Sequence, residues 1–380
     1  MPIRLVLLFS TAIFVSMKGS RILFTLYAVD LGAGPLETGL LFGLHGLLPF
    51  VVAIYAGRIA DRFDNRVLMV WGLGGYAASL TLPFFFPSLA TLYLAVPLGG
   101  ITTLFFVVAT QNYVGILSSP ENRTRNFSYY SLGESAANVA GPVFVGVAVD
   151  AFRHPLTFLC LAVYSAAWCA VVFFKRASLP HTARHEEKSA PRRMKDLLAL
   201  PAMRNALITN GIVMAGMDLF NLYMPIYARG LGLSATAIGL IVGAFAAAAF
   251  VTRLAIPPVT ARWGERTMLA GALALSAAAF LPIPLLTTAP LLAAAAFVLG
   301  LGLGCGQPLS MILAFNAAPR DRSAEGIAMR LAVSYGAHVV IPPVFGVLGT
   351  AWGLAPVFWT CSMLLGGGSL LNRGSKMCGR

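Results

Sequence analysis

The sequence predicts an all-α membrane protein: twelve transmembrane helices in two parallel six-helix repeats. Of its 380 residues, 58% are apolar and only 11% charged, whereas soluble domains carry about 25% Asp, Glu, Lys and Arg. Twelve crossings at roughly 20 apolar residues each leave room for short loops. Shifted by 200 positions, the chain registers on itself almost without gaps. Tyr27-Ala28 meets Tyr227-Ala228, Leu31-Gly32 meets Leu231-Gly232, and Gly39-Leu40 meets Gly239-Leu240. Pro142 and Gly146 likewise meet Pro342 and Gly346.

Apolar runs between charge clusters place the helices at 5–29, 36–56, 67–86, 91–117, 126–149, 155–175, 204–229, 235–257, 267–287, 290–316, 325–349 and 354–372. The opening residues look briefly like a signal peptide. No small-residue cleavage site follows and the run resumes after Arg21, so they form the first span. The stretch from Lys175 to Arg204 is charged and poor in aromatics, as expected of a solvated linker. The expected division is therefore a six-helix bundle at 1–175, a cytoplasmic linker at 176–203 and a second bundle at 204–380.

With a cytoplasmic N-terminus, 21 of the 27 Lys and Arg fall on that side, and only Arg153 and Arg229 on the other. This skew is the positive-inside pattern, which puts both termini and the linker in the cytoplasm. Economy of loops and tails points to a bacterial inner membrane. The net charge of +13 then reports topology, with some attraction to anionic lipid, and speaks against a nucleic-acid partner. Five cysteines without a CxxC pair suggest neither disulfides nor a metal site. No catalytic constellation or phosphate loop appears either, so an enzyme and a cofactor are not expected. Duplicated spans are a transporter architecture, with the solute site near the midplane between repeats.

Charges at bilayer depth are rare and face a cavity or a partner. Lys18 lies roughly 16–20 Å along the helix from either end of the first span, too deep to snorkel out. Arg21 follows at i+3 on the same face. Their repeat mates are Asp218 and Asn221 in the seventh span, so cations in one half are expected to oppose an acid in the other. The fifth and eleventh spans carry mirrored stripes: Tyr130, Glu134 and Asn138 against Arg330, Ser334 and His338. Gln111 in the fourth span and Gln307 in the tenth complete the expected substrate and proton cavity. A carboxylate there, Asp218 first and Glu134 second, would carry the proton and exchange partners with Lys18 or Arg21. The competing reading is a buried structural ion pair such as Lys18 with Asp218. Two cations hint at an anionic small molecule as solute.

Between the second and third spans stands Gly57-Arg58-Ile59-Ala60-Asp61-Arg62-Phe63-Asp64-Asn65-Arg66. At the matching place in the second half stands Ala261-Arg262-Trp263-Gly264-Glu265-Arg266. The first resembles the signature loop of the major facilitator superfamily, G-x-x-A-D-R-x-G-R-[KR], with Asp64 in place of its second Gly. The second resembles a degenerate copy, and with twelve spans and a linker the resemblance covers nearly the whole chain. It implies the superfamily's fold, a cavity lined by spans one, four, seven and ten, and a cytoplasmic gate. In that gate Asp61 would sit at the N-terminus of the eleventh span, whose dipole favours a carboxylate. Gly57, Arg62, Arg66, Arg262 and Arg266 would complete it.

In the fifth span, Gly133 and Ala137 through Gly141-Pro142-Val143-Phe144-Val145-Gly146 resemble the antiporter motif G-x3-G-P-x2-G-G. Small residues there let helices approach closely and Gly-Pro softens the span. The arginine that drug/proton antiporters often carry in span four is absent, replaced by Val96-Pro97-Leu98-Gly99-Gly100. The resemblance as a whole implies a secondary active transporter of the drug and metabolite efflux branch. It would export a small molecule by alternating access in exchange for protons. Proton-coupled uptake of a small organic anion shares the same features and stays open.

Overall fold

Helix α1 (Pro2–Asp30) stops where Gly32 takes a φ of 91°. Gly32 N–H donates to Val29 O (2.9 Å) and Ala33 N–H to Ala28 O (2.9 Å). This is a Schellman closure, whose left-handed residue is usually glycine. Two hundred residues on, α7 (Pro201–Gly230) closes the same way, with Gly232 at φ 77°. Its bonds run from Gly232 N–H to Arg229 O (2.9 Å) and from Leu233 N–H to Ala228 O (3.2 Å). The registering Tyr-Ala and Leu-Gly pairs are therefore two copies of one helix cap.

The computed structural model describes residues 2–62, 64–118, 122–175, 195–317 and 323–374. The remaining helices are α2 (Pro35–Arg62), α3 (Asn65–Phe85), α4 (Leu89–Ile116), α5 (Arg123–Lys175), α6 (Lys195–Leu198), α8 (Ala235–Trp263), α9 (Glu265–Phe280), α10 (Ala289–Leu303), α11 (Gly306–Ala317), α12 (Ser323–Trp352) and α13 (Leu354–Gly374). Among the described residues, ten helices are long and apolar enough to cross a membrane, taking 289–317 as one, and the Pro35–Val51 part of α2 is apolar as well. Helix α5 holds two of the expected spans, because Arg153 breaks it at φ 61°, ψ 170°. Twelve crossings result, and large apolar side chains such as Leu94, Phe174 and Met363 point outward. The chain is a multi-pass membrane protein.

Several boundaries differ from the sequence reading, and α2 and α8 run on to Arg62 and Trp263, past the expected 56 and 257. The ninth span ends at Phe280 and passes into a 3-10 turn at Ile283–Leu285. The tenth is interrupted between α10 and α11, where a Cβ on Gly304 would come within 2.5 Å of Ala249 Cα on α8. Only glycine lets the chain pass that close.

Two compact units emerge. Unit 1 comprises Met1–Ala33, Leu44–Lys188 and Ser234–Gly239; unit 2 comprises Gly34–Gly43, Ser189–Leu233 and Leu240–Arg380. In unit 1, Phe9, Ile13, Leu68, Met69, Phe106 and Tyr113 form the core that joins α1, α3 and α4. Beside it, the buried Tyr76 hydroxyl donates to Ser20 Oγ (2.9 Å), and Ser16 and Ser165 bond each other (3.0 Å). In unit 2, Leu197 of α6 is buried with Met203, Leu207 and Met329, which ties the end of the expected linker to α7 and α12.

Candidate functional site

Three glycines bring α1 and α5 together in unit 1. A Cβ on Gly141 would lie 2.6 Å from Val15 O and 2.8 Å from Gly19 N, and one on Gly19 would lie 2.8 Å from Gly141 O. A Cβ on Gly133 would collide with the Thr11 hydroxyl. Backbones this close bring side chains on the same stretch into bonding range. Lys18 Nζ donates to Glu134 Oε1 at 2.9 Å, with about a third of each side chain exposed. One turn before Glu134, the Tyr130 hydroxyl meets Thr110 (3.1 Å); one turn after it, Asn138 is half-buried. Arg21 is half-buried one turn beyond Lys18, and Gln111 on α4 is exposed.

The equivalent seam in unit 2 joins α7 to α12. Asp218, 2% exposed, meets His338 Nδ1 through Oδ2 at 2.5 Å. Two turns earlier, Arg330 Nη1 donates to Asn210 Oδ1 (3.0 Å) and Ser310 Oγ (3.3 Å). Asn210 Nδ2 in turn donates to Ser334 Oγ (2.9 Å). Arg330 is thus 9% exposed in a neutral network that ties α7, α11 and α12. Gln307 Nε2 contacts Met214 Sδ (3.8 Å), and Asn221 Nδ2 turns back to Met217 O on its own helix (2.7 Å).

These contacts correct one expectation. Lys18 pairs with Glu134 rather than Asp218, and Asp218 has an imidazole partner in its own unit. The repeat carried the residues into matching positions, but each seam joins a carboxylate to a basic side chain from its own first and fifth spans. Polarity is reversed between them: the acid sits on the fifth span in unit 1 and on the first span in unit 2.

The antiporter-like motif has a second set of neighbours. Gly146 lies against Ala235 O, and a Cβ on Gly239 would lie 2.5 Å from Pro142 O. In unit 2 the mates repeat this: Gly39 lies against Pro342 O, and a Cβ on Gly346 would lie 2.9 Å from Leu36 Cα. Tyr223 donates its hydroxyl to the same Pro342 carbonyl (2.7 Å). Each α5- or α12-type helix then caps the helix packed on it. Asp150 accepts from Ala235 N–H (3.0 Å) and Thr236 N–H (2.7 Å), and Thr350 accepts from Leu36 N–H (3.1 Å).

Sequence reasoning missed this cap. The signal was there: Asp150, just past the expected end of the fifth span, is the 200-residue mate of Thr350. Burial pushes the Asp150 carboxyl up, but hydrogen bonds from Thr236, Ala235 and Ser234 outweigh it and leave it below the usual carboxylate range.

At the expected gate, Asp64 is the N-cap of α3, with φ −61° and ψ 131°, and its carboxylate accepts from Arg66 N–H (3.1 Å). Arg66 Nε stands 3.9 Å from the same carboxylate. Gly264 caps α9 at φ 79° without a side chain. The departure from the signature is thus a change of cap: a carboxylate on extended backbone replaces a left-handed glycine. Arg262 is exposed and Arg266 half-buried. Gly57, Asp61 and Arg62 close α2, and their side chains lie outside the described residues.

A family model described as Major Facilitator Superfamily matches residues 6–209 and 206–373. The uncharacterized MFS-type transporter YfkF of Bacillus subtilis (strain 168) is 28% identical over 190 residues, 46% of each chain. The tetracycline resistance protein, class B, of Escherichia coli is 27% identical over 138 residues, 36% of this chain and 34% of that protein. The chain therefore spans less than half the length of these two relatives. The solved nucleoside transporter NupG is 13% identical, with a TM-score of 0.81 over the whole of both chains. That likeness is one of fold.

Proposed function

The chain belongs to the Major Facilitator Superfamily, and we propose that it is a secondary active transporter that exports a small molecule in exchange for protons. Alternating access of its two six-helix halves is the motion, with 1–175 and 204–380 as the halves and 176–203 as the linker. The observation that carries the reading is the carboxylate in each seam, Glu134 on Lys18 and Asp218 on His338. Charged groups inside spanning helices are costly and mark solute or proton paths. Protonating either carboxylate removes its charge pairing and releases the neighbouring cation or imidazole. Gln111, Asn138, Asn221 and Gln307 supply neutral polar groups along the path, and Arg21 supplies a cation suited to an anionic solute. The positive-inside skew supports cytoplasmic termini in an inner membrane, with Gly57, Asp61, Arg62, Arg66, Arg262 and Arg266 as the cytoplasmic gate. Similarity to a tetracycline resistance protein favours export.

The test is flux of candidate solutes in everted vesicles under an imposed proton gradient. Asp218→Asn is expected to lower proton-driven flux by at least ~10-fold while solute–solute exchange survives, because an amide keeps the shape and cannot carry a proton. Glu134→Gln is expected to give the smaller loss. Full proton-driven flux in both variants overturns the coupling scheme. Accumulation in right-side-out vesicles instead establishes the rival, proton-coupled uptake of a small organic anion.

A further inference from the structure

Away from both seams, unit 2 carries an open cavity of about 590 Å³ between α8, α9, α10 and α13. Its walls include Val259, Met268, Leu275 and Leu301. Two of the polar side chains that line it, Thr252 and Asn372, spend their donors on the protein. Thr252 Oγ1 donates to Ala248 O (3.1 Å) and Leu301 O (3.0 Å), and Asn372 Nδ2 to Thr209 Oγ1 (3.1 Å) and Gly368 O (2.8 Å). An occupant therefore meets an apolar interior. On α8 the lining runs from Trp263 to Thr252, and on α9 from Thr267 to Leu275, rises of about 16 and 12 Å. That is the depth of one leaflet of a hydrocarbon core about 30 Å thick.

At one end of the lining the chemistry changes. Trp263 is 62% exposed and Arg373 is exposed, an aromatic and a cation of the kind found where a spanning helix meets the headgroups. Trp263 and Thr267 also line an adjoining recess of about 410 Å³ that adds Arg266 and Glu265, the latter bonded to Asn316 Nδ2 (3.3 Å). Glu265 lines that recess and not the cavity.

We propose that this cavity is a site for one anionic phospholipid, with an acyl chain between α8 and α9 and the phosphate at Arg373. Basic pockets between spanning helices select anionic headgroups, and the volume lies within the roughly 300–1,000 Å³ of small-molecule sites. The lipid would brace α9 against α8 and α13. The assignment needs only that the chain spans a membrane, so it stands or falls apart from solute transport.

The experiment uses the full chain in nanodiscs containing either phosphatidylglycerol or phosphatidylcholine, each with a photoreactive group near the acyl terminus. Crosslinked peptides are mapped by mass spectrometry. The expected result is labelling concentrated on 268–275 and stronger with phosphatidylglycerol. A Cβ on Gly271 meets nothing within 4 Å, so Gly271→Phe fills the cavity and should lower that labelling at least ~10-fold. Arg373→Gln should keep the labelling and lose the headgroup preference. Labelling spread evenly along the outer helices, or unchanged in Gly271→Phe, overturns the site. Undiminished headgroup preference in Arg373→Gln overturns the assignment of the phosphate, and that exposed variant is informative even if Gly271→Phe fails to fold.

Discussion

Replacing Asp150 by alanine removes its two bonds to amides in the first turn of α8, which Ser234 also caps. The carboxylate meets two amides, at 3.0 and 2.7 Å. Loss of an N-cap costs about 0.5–2 kcal/mol, and exposure of Asp150 places the cost near the lower half of that range. About 1 kcal/mol is close to a fivefold change in a local opening equilibrium. Hydrogen exchange read by mass spectrometry on a peptide covering 233–240 should therefore show about fivefold less protection at Ala235 and Thr236. Asp150→Asn should recover most of it, because asparagine caps nearly as well.

The pH dependence has a definite sign. A carboxyl held below its ordinary value of 3.8 contributes fully above that value and loses its contribution as pH falls through the lowered one. Corrected for intrinsic exchange, protection should be flat from about pH 5 to 8. Unchanged protection in Asp150→Ala, or protection that collapses near neutral pH, would refute the cap.

Three further outcomes follow from the geometry. Gly19→Val forces a side chain against Gly141 O and Val145 and should destabilise the protein by about 1–3 kcal/mol, seen as a lower thermal midpoint; an unchanged midpoint contradicts the close approach. Asp64→Ala should cost about 1 kcal/mol, while Asp64→Gly, adopting the solution used at Gly264, should cost only a few tenths; denaturant titration compares them. Arg330→Gln, which strips bonds from Asn210 and Ser310, should cost about 1–3 kcal/mol and leave the KM for solute unchanged. A shifted KM at full stability would place Arg330 on the solute instead.

Much of the fold was legible because an offset of 200 residues exposes whatever both halves need. The caps at Gly32 and Gly232 recur because a left-handed residue must end each helix. What the offset does not say is which residues touch, Gly39 against Pro342 and Gly239 against Pro142. The charges were legible as a set and not as pairs. Helical phase puts Lys18 and Arg21 on one face, but the neighbour of Lys18 depends on how closely α1 and α5 approach. Gly19 and Gly141 decide that, and single-helix periodicity carries no such information. Asp150 was passed over because a carboxylate at a span's end reads as ordinary loop polarity until another helix's amides are seen above it.

The reversed polarity of the two seams makes them respond differently to an electric field. Beside Lys18, a proton on Glu134 turns a neutral couple into a net +1. A proton on Asp218 adds the same unit of positive charge, but on the first-span helix of its unit and not on the fifth. A unit charge crossing the full potential is worth about 2.3 kcal/mol per 100 mV, so loading either seam gives voltage something to pull, on a different helix in each half. Duplication supplied a symmetric frame, and the exchange of one acid for one base between helices has left it electrically lopsided.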